Sequence, residues 1–321
     1  MFEKTWETIV EPVQPIPLSE LELKITEGDA FTLGQKRPQL YAEVLQYWDK
    51  KQVEMTLARA KTLAAALMQQ DTPVVERMQK QIGGVEPKHS LSRAVLDGKK
   101  LYLAMNSVNF MDFAGTNIRA IEDTEFRTRL MQAGLEDYAD SNRYFANPLA
   151  VCSVVYGYSG ERGDISHAYA LILKRSDKVA IYPNVHHVNG GLADIDKNRT
   201  KIDIGLQVYK ELHEELGIDN EHLGNPTFHG IVRQIPSRTP EAICSIPVYL
   251  PQQELERRWR EKAPAKFEHG GMNFYPLQEV PAFLDQYGSS MVPSGQAALM
   301  YLLQQHGIAV ETKPMELQET G

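Results

Sequence analysis

Cysteine is scarce: the 321 residues contain only Cys152 and Cys244. Both stand in apolar, strand-like runs, so they read as two reduced, buried thiols. No Cys/His spacing suggests a zinc site. Long hydrophobic runs are missing as well. No stretch approaches the roughly 18 apolar residues of a membrane-crossing helix, so no membrane partner is expected. The opening MFEKTWETIV has no basic region followed by an apolar run, and no signal peptide is expected from it. Positive charge is the scarcer sign. Lys and Arg number 34 against 42 Asp and Glu, a formal net charge of −8. Such a chain repels phosphate backbones, which argues against nucleic acid as a partner. A small phosphorylated ligand is still compatible if a metal ion neutralises the local charge. Internal repeats and low-complexity tracts are absent too. A soluble, cytoplasmic protein is the expectation.

What is present is ordinary globular sequence. Apolar residues make up 42% and charged residues 24%, and a chain of this length buries a core without staples. Length alone suggests two domains or one large one. Leu21, Leu23 and Ile25 alternate as in a strand, and Gly28-Asp29 marks a turn. Residues 38–70 read as a helix with one apolar stripe through Leu40, Val44, Trp48, Val53, Leu57, Ala60, Ala64 and Leu67. Asp71-Thr72-Pro73 ends it. A short helix is expected over 73–81, a strand in KKLYLAMNSVNF, and a helix in EDTEFRTRLMQAGLEDYA with Phe126, Leu130 and Leu135 inward. From about Asn147 the texture changes. PLAVCSVVYGYS and AYALILKRS read as antiparallel neighbours, KVAIYP as a third strand and Gly190-Gly191 as a loop. TFHGIVRQI and EAICSIPVYL are strand-like. A closing helix holds Leu299, Tyr301, Leu302 and Leu303 and stops near Gly307. The last dozen residues are polar and expected to be loose.

The stretch KELHEELGI, Lys210 to Ile218, crowds Glu211, Glu214 and Glu215 onto one helical face. Like charges so close repel, and a helix does not need them for stability. At about 100° per residue, Leu206, Tyr209, Leu212 and Leu216 fall on nearly the opposite face. One side would pack on a sheet and the other present carboxylates. A solvated acidic face is the plain reading. The alternative is a site for Mg²⁺, which takes oxygen ligands and bridges carboxylates to phosphates.

Strands, a Gly-Gly segment, this helix, then more strands is an order that resembles the Nudix hydrolases. KELHEELGI matches the second half of their box except at Lys210, where Arg is usual. The first half departs. Gly191 stands as the leading glycine, but the gap to Lys210 is longer than the family's. The upstream Glu has no clear equivalent, with Asp194, Asp196 and Asp203 as candidates. Within that superfamily, MDFAGTN (111–117), YFANPLAVCSVV (144–155), LKRSDKVAIYPNVHHVNGG (173–191) and VPSGQAALMYLL (292–303) are similar to the UDP-sugar pyrophosphatases of animals. That likeness runs from about residue 100 to 305. Asn189 replaces a proline before the two glycines.

The resemblance implies an α/β fold, a Nudix α/β/α sandwich with a mixed sheet over 146–308. An N-terminal α/β region over 1–145 would serve substrate recognition, and 309–321 would be a polar tail. It implies hydrolysis of a nucleotide substrate, a UDP-sugar, to UMP and a sugar 1-phosphate. Mg²⁺, or Mn²⁺ in its place, would be held by Glu211, Glu214 and Glu215. These are also the expected catalytic residues, and which is the base stays open. Lys210 would orient a Glu. Expected substrate contacts are Asp112, Phe113, Thr116, Asn117, Arg175, His187, Gly190, Gly191 and Arg233, with Gln234 beside the last. For residues 112–117 the alternative is a buried turn in which Asn and Thr satisfy backbone. For Arg175 it is an ordinary surface position. His186-His187 lack a third N or S ligand, so His187 is read as pocket lining and not as a metal ligand. Other substrates keeping the same chemistry are ADP-ribose, NAD or another nucleotide sugar. A nucleotide-binding sensor without turnover is a further alternative. Since Nudix proteins often pair, a homodimer is an expected assembly.

Overall fold

The computed structural model describes residues 2–81, 87–161, 163–179, 181–193 and 202–314. The chain opens with strands β1 (Phe2–Lys4), β2 (Trp6–Val10), β3 (Ile16–Pro17) and β4 (Glu22–Glu27). One turn of helix, α1 (Leu33–Lys36), leads into the long α2 (Pro38–Met68) and then α3 (Thr72–Gln81). The hairpin β5 (Lys88–Asp97) and β6 (Lys100–Val108) follows. Next come α4 (Phe110–Phe113), a π-helical turn over Ala114–Ile118, α5 (Arg119–Glu122) and α6 (Thr124–Tyr138). Asp123 caps α6 by accepting from the Phe126 amide. Strands β7 (Ala150–Tyr158), β8 (Ala168–Arg175), β9 (His186–His187) and β10 (Asn189–Leu192) precede α7 (Ile204–Leu216). The remainder is β11 (Thr227–Gln234), β12 (Pro240–Pro247), α8 (Gln252–Lys262), β13 (His269–Pro276), α9 (Val280–Tyr287), α10 (Pro293–Gln305) and β14 (Thr312–Pro314).

The main sheet runs β13-β8-β7-β12-β11-β2, with β10 also on β7, β9 on β8 and β3 on β11. β7 and β12 are parallel, with Ile243 opposite Cys152, while β7 and β8 are antiparallel as expected. Both faces are covered, which explains the unbroken apolar texture of the central strands. Along β7, Val151 and Val155 join the cluster under α7, whereas Cys152, Val154 and Tyr156 join the one under α9 and α10. β8 alternates likewise, Leu171 and Leu173 against Ala170 and Ile172. A small sheet, β4-β6-β5, adds Leu91, Leu101 and Leu103 to the α7 side. Both cysteines are free and buried. Among the described residues no helix is long and apolar enough to cross a membrane.

Several expectations change. KVAIYP is not a strand in its described residues: they run through turns, and Tyr182 and Asn184 have φ of 49° and 63°. The Arg175 amide donates to the Val185 carbonyl and closes this loop, so β9 takes the place beside β8. Gly190 and Gly191 lie in β10, not in a loop, because their register opposite Cys152 and Val151 completes the edge of β7. The polar stretch after them, with Asp194 and Asp196, lies outside the described residues. The sheets do not follow a boundary at residue 145: β2 and β3 pair with β11, and β14 of the expected tail pairs with β1. Leu135 is 48% exposed, since α6 turns Phe126, Leu130 and Ala133 to the core instead. The stripe on α2 is two lines. Val44 and Ala66 are buried, whereas Val53, Leu57 and Leu67 point outward at 56%, 58% and 56% exposure.

Candidate functional site

The glutamate helix α7 is capped at both ends. Asp203 accepts from the Leu206 amide, which gives this candidate for the upstream acid a capping role. Gly217 leaves the helix at φ 67°, and its amide bonds the His213 carbonyl at 3.0 Å while Ile218 reaches back to Leu212. Ile204, Val208, Leu212 and Leu216 seal one side into the core. The carboxylate side is not the solvated face that the plain reading expects. Glu211 is 8% exposed and Glu215 3%, while Leu206, expected inward, is 43% exposed. β10 runs across that side, and its glycines make the crossing possible. A Cβ on Gly191 would stand 2.5 Å from the Glu211 carboxylate.

The buried acids have specific partners. Gln207, one turn before Glu211, donates its amide to Glu211 Oε1 at 2.5 Å. Glu215 Oε2 accepts from Asn189 Nδ2 at 2.7 Å and lies 3.0 Å from His269 Nε2. Asn189 is itself oriented by Ser153, whose hydroxyl donates to its Oδ1. A third acid, Glu268, arrives from the 3₁₀ turn Lys266–Glu268 ahead of β13. Burial, then the charge of Glu215, pushes both Glu211 and Glu268 above the usual carboxylate range. Lys210 acts on Glu211 in the opposite sense. Glu214 is held elsewhere: Arg77 of α3 donates to its Oε1 at 2.9 Å.

Beside the acids lies a pocket of about 160 Å³. Gly190, Gly191 and Glu268 line it together with Phe113, Ile118 and Ile121. Gln234, Ser237, Thr239 and Glu241 supply polar groups. Glu241, 6% exposed, accepts from the Gln234 amide, and burial pushes its pKa up to about 7. His187 also lines the pocket, as expected. Its Nδ1 is buried without a partner, and burial followed by the Arg175 charge lowers its pKa well below the imidazole range, so the ring is neutral. Arg175 lines the pocket too, its Nε tied to the Ile181 carbonyl at 3.0 Å. The volume suits one ring; whole small-molecule sites run to about 300–1,000 Å³.

The remaining expected contacts are placed apart. Asp112 accepts from Tyr41 at 3.1 Å behind the pocket. Thr116 donates to the Asp112 carbonyl, Asn117 donates to Ser237 O at 2.9 Å, and both accept from the Ala146 amide. That is the buried-turn alternative, and it fixes two pocket loops from behind. Arg233 does not reach the pocket. It pairs with Glu7 of β2 at 3.1 Å, because its side of β11 faces that strand's end, while Gln234 faces inward. Asn189, Gln207, Glu241, Glu268 and His269 were not anticipated as site residues. Gln207 carries a readable signal, one turn before Glu211. Glu268 and His269 carry none, because β13 brings them in from far along the chain.

A donor set made only of carboxylate oxygens, with Glu211 and Glu215 buried and Glu268 half-buried, fits a hard divalent cation. Among the described residues, the set of three ligand atoms lying within 4.8 Å belongs instead to Asp219, Glu221 and His222. Arg258 already fills that cluster, 2.8 Å from both Asp219 Oδ2 and His222 Nε2. Glu211, Glu215 and Glu268 do not form such a set within 4.8 Å; an ion held by them would be one such as Mg²⁺, which keeps several waters.

No family model matches the chain, and no curated protein matches it. Among solved structures it is similar to a mutT/nudix family protein from Listeria innocua, at 13% identity over 50% of this chain and 94% of that one, with a TM-score of 0.35. A NUDIX hydrolase from Alicyclobacillus acidocaldarius is 11% identical over 51% of this chain and 97% of that one, TM-score 0.35. A C. elegans Ap4A hydrolase is 16% identical over 48% and 98%, TM-score 0.28. These neighbours are named as Nudix proteins or as an Ap4A hydrolase. Scores this low carry no weight on chemistry, which has to come from the residues themselves.

Proposed function

We propose that the chain is a Nudix-type pyrophosphohydrolase acting on a nucleoside diphosphate derivative, with a UDP-sugar as substrate and UMP and a sugar 1-phosphate as products. The observation that carries this is the pair Glu211 and Glu215, buried one helical turn apart against a two-glycine strand and faced by Glu268. Buried like charges destabilise a fold unless something opposite neutralises them. Mg²⁺, or Mn²⁺, held by Glu211, Glu215 and Glu268 would neutralise them, polarise the pyrophosphate and lower the pKa of bound water.

The chain's own residues do the rest. Gly190 and Gly191 present a wall without side chains, so a phosphate can approach the backbone of β10. Arg175 borders the pocket and supplies positive charge. Phe113 offers a ring face to the base, and Gln234 and Glu241 offer hydrogen-bonding groups to its edge. Glu215 is committed to Asn189 and His269. Glu268 lines the pocket itself, so of the three it is the carboxylate placed to take a proton from attacking water. Glu214 serves through Arg77, by tying α7 to α3.

A nucleotide-binding sensor is the second reading. It is favoured by the polar partners already on Glu215 and by the wide spacing of the three acids. One experiment separates the two. The protein is incubated with Mg²⁺ and UDP-glucose, UDP-galactose, ADP-ribose, NAD or ADP-glucose, with Glu215→Gln alongside. Products are resolved by ion exchange. UMP and a sugar 1-phosphate from the unmutated protein alone support the hydrolase. Survival of every substrate, with saturable binding, supports the sensor.

A further inference from the structure

The inward line of α2 packs Val44 against the α6 cluster, Trp48 on Phe110, and Ala66 on Val74 and Met78. Roughly half a turn away around the helix, Val53, Leu57, Ala60, Ala64 and Leu67 form a second apolar line, and all five are exposed. Their spacing is four, three, four, three. That is the seam of a coiled coil, with Val53, Ala60 and Leu67 at d positions and Leu57 and Ala64 at a positions.

We propose that this seam pairs with the same seam of a second copy of the chain, antiparallel, about a two-fold axis between residues 58 and 59. In that register Val53 faces the partner's Ala64 and Leu57 faces the partner's Ala60. Each of these layers sets a larger side chain against an alanine, so the two helices can approach closely. The flanking e positions are Glu54 and Lys61, both exposed. They meet as Glu54 against the partner's Lys61, twice by symmetry. At the end of the seam the alkyl stem of Lys50 covers the partner's Leu67. A parallel pair is disfavoured: it would set alanine against alanine and bring Glu54 beside the partner's Asp49. Lys50 to Leu67 spans about 25 Å of helix about 10 Å wide. That is less than the about 800 Å² per partner of a standard interface, so the dimer is reversible.

Sedimentation equilibrium of the full chain over a concentration series tests this. A monomer–dimer equilibrium is expected. Glu54→Lys and Lys61→Glu should each weaken it about tenfold by replacing attraction with repulsion at two symmetric contacts. The double variant E54K/K61E should restore it. Leu57→Glu should abolish it with an unchanged circular dichroism spectrum, since Leu57 is exposed in the monomer. Oxidation of V53C/A64C should cross-link two chains, and V53C alone should not; Cys152 and Cys244 are buried and do not compete. A monomer at every concentration overturns the proposal. So does a dimer indifferent to the charge reversals, or cross-linking by V53C alone.

Discussion

Glu241 should make this protein lose stability as the pH rises toward neutrality. Its carboxyl sits on β12 at 6% exposure, and burial raises its pKa from 4.5 to about 7 against the opposing effects of Ser294, Gln234 and Arg175. The folded state therefore keeps a proton between those two values that the unfolded chain has released. The contribution of Glu241 to stability is largest below 4.5 and falls until the pH passes about 7. At about 1.36 kcal/mol per unit of pH, the full effect is about 3 kcal/mol. Glu241→Gln keeps the shape and an acceptor for Gln234 but removes the titration. Urea unfolding of both proteins should be followed from about pH 4.5 to pH 8, using linear extrapolation at each point. Other groups titrate in this range, so the informative quantity is the difference between the two proteins. The variant should gain about 3 kcal/mol on the wild type from the acid to the neutral end. Parallel profiles would mean that Glu241 ionises as an ordinary carboxyl in spite of its burial.

Gly191→Ala should fold normally and bind Mn²⁺ at least about tenfold more weakly by calorimetry, because its Cβ would stand 2.5 Å from the Glu211 carboxylate and must displace it; unchanged affinity would remove Glu211 from the ion's surroundings. Gly115→Ala should cost about 2–3 kcal/mol in urea, since its Cβ would lie 2.3 Å from Val44 Cγ1 and 2.8 Å from the Val44 carbonyl oxygen. Arg77→Met should cost about 1–2 kcal/mol at neutral pH, Glu214 being 16% exposed and left without its partner. An unchanged urea midpoint would mean that the Arg77–Glu214 pair does not tie α7 to α3.

The central strands were legible because a sheet covered on both faces needs residues like those of β7, β8 and β12 on every position. α7 was legible from its period and from Gly217. Which way its acids point was not, since that depends on β10 crossing with two glycines where side chains would clash. The third acid was hidden for a related reason: nothing local to Glu268 says that β13 will return beside β8. The α2 stripe failed differently. A helix of 31 residues drifts relative to any fixed pattern, and a list of apolar residues at mixed spacings merged its inward and outward lines. α8 passed unremarked because it is almost wholly charged, yet its Glu254–Arg257, Glu254–Arg258 and Arg257–Glu261 pairs at three and four residues are a helix signature.

The burial of Glu211 and Glu215 also limits what an engineer could do with KELHEELG. Cut out as a peptide, it is too short to hold a helix in water, and its acids would repel one another in the open. Transplanted onto another scaffold's helix it would bring the carboxylates but not Asn189, His269, Glu268 or the bare backbone of Gly190 and Gly191. Those come from β10, from β13 and from the turn ahead of it, and the two strands are fixed by β7 and β8. The smallest portable version of this site is therefore the sheet itself with the helix on it.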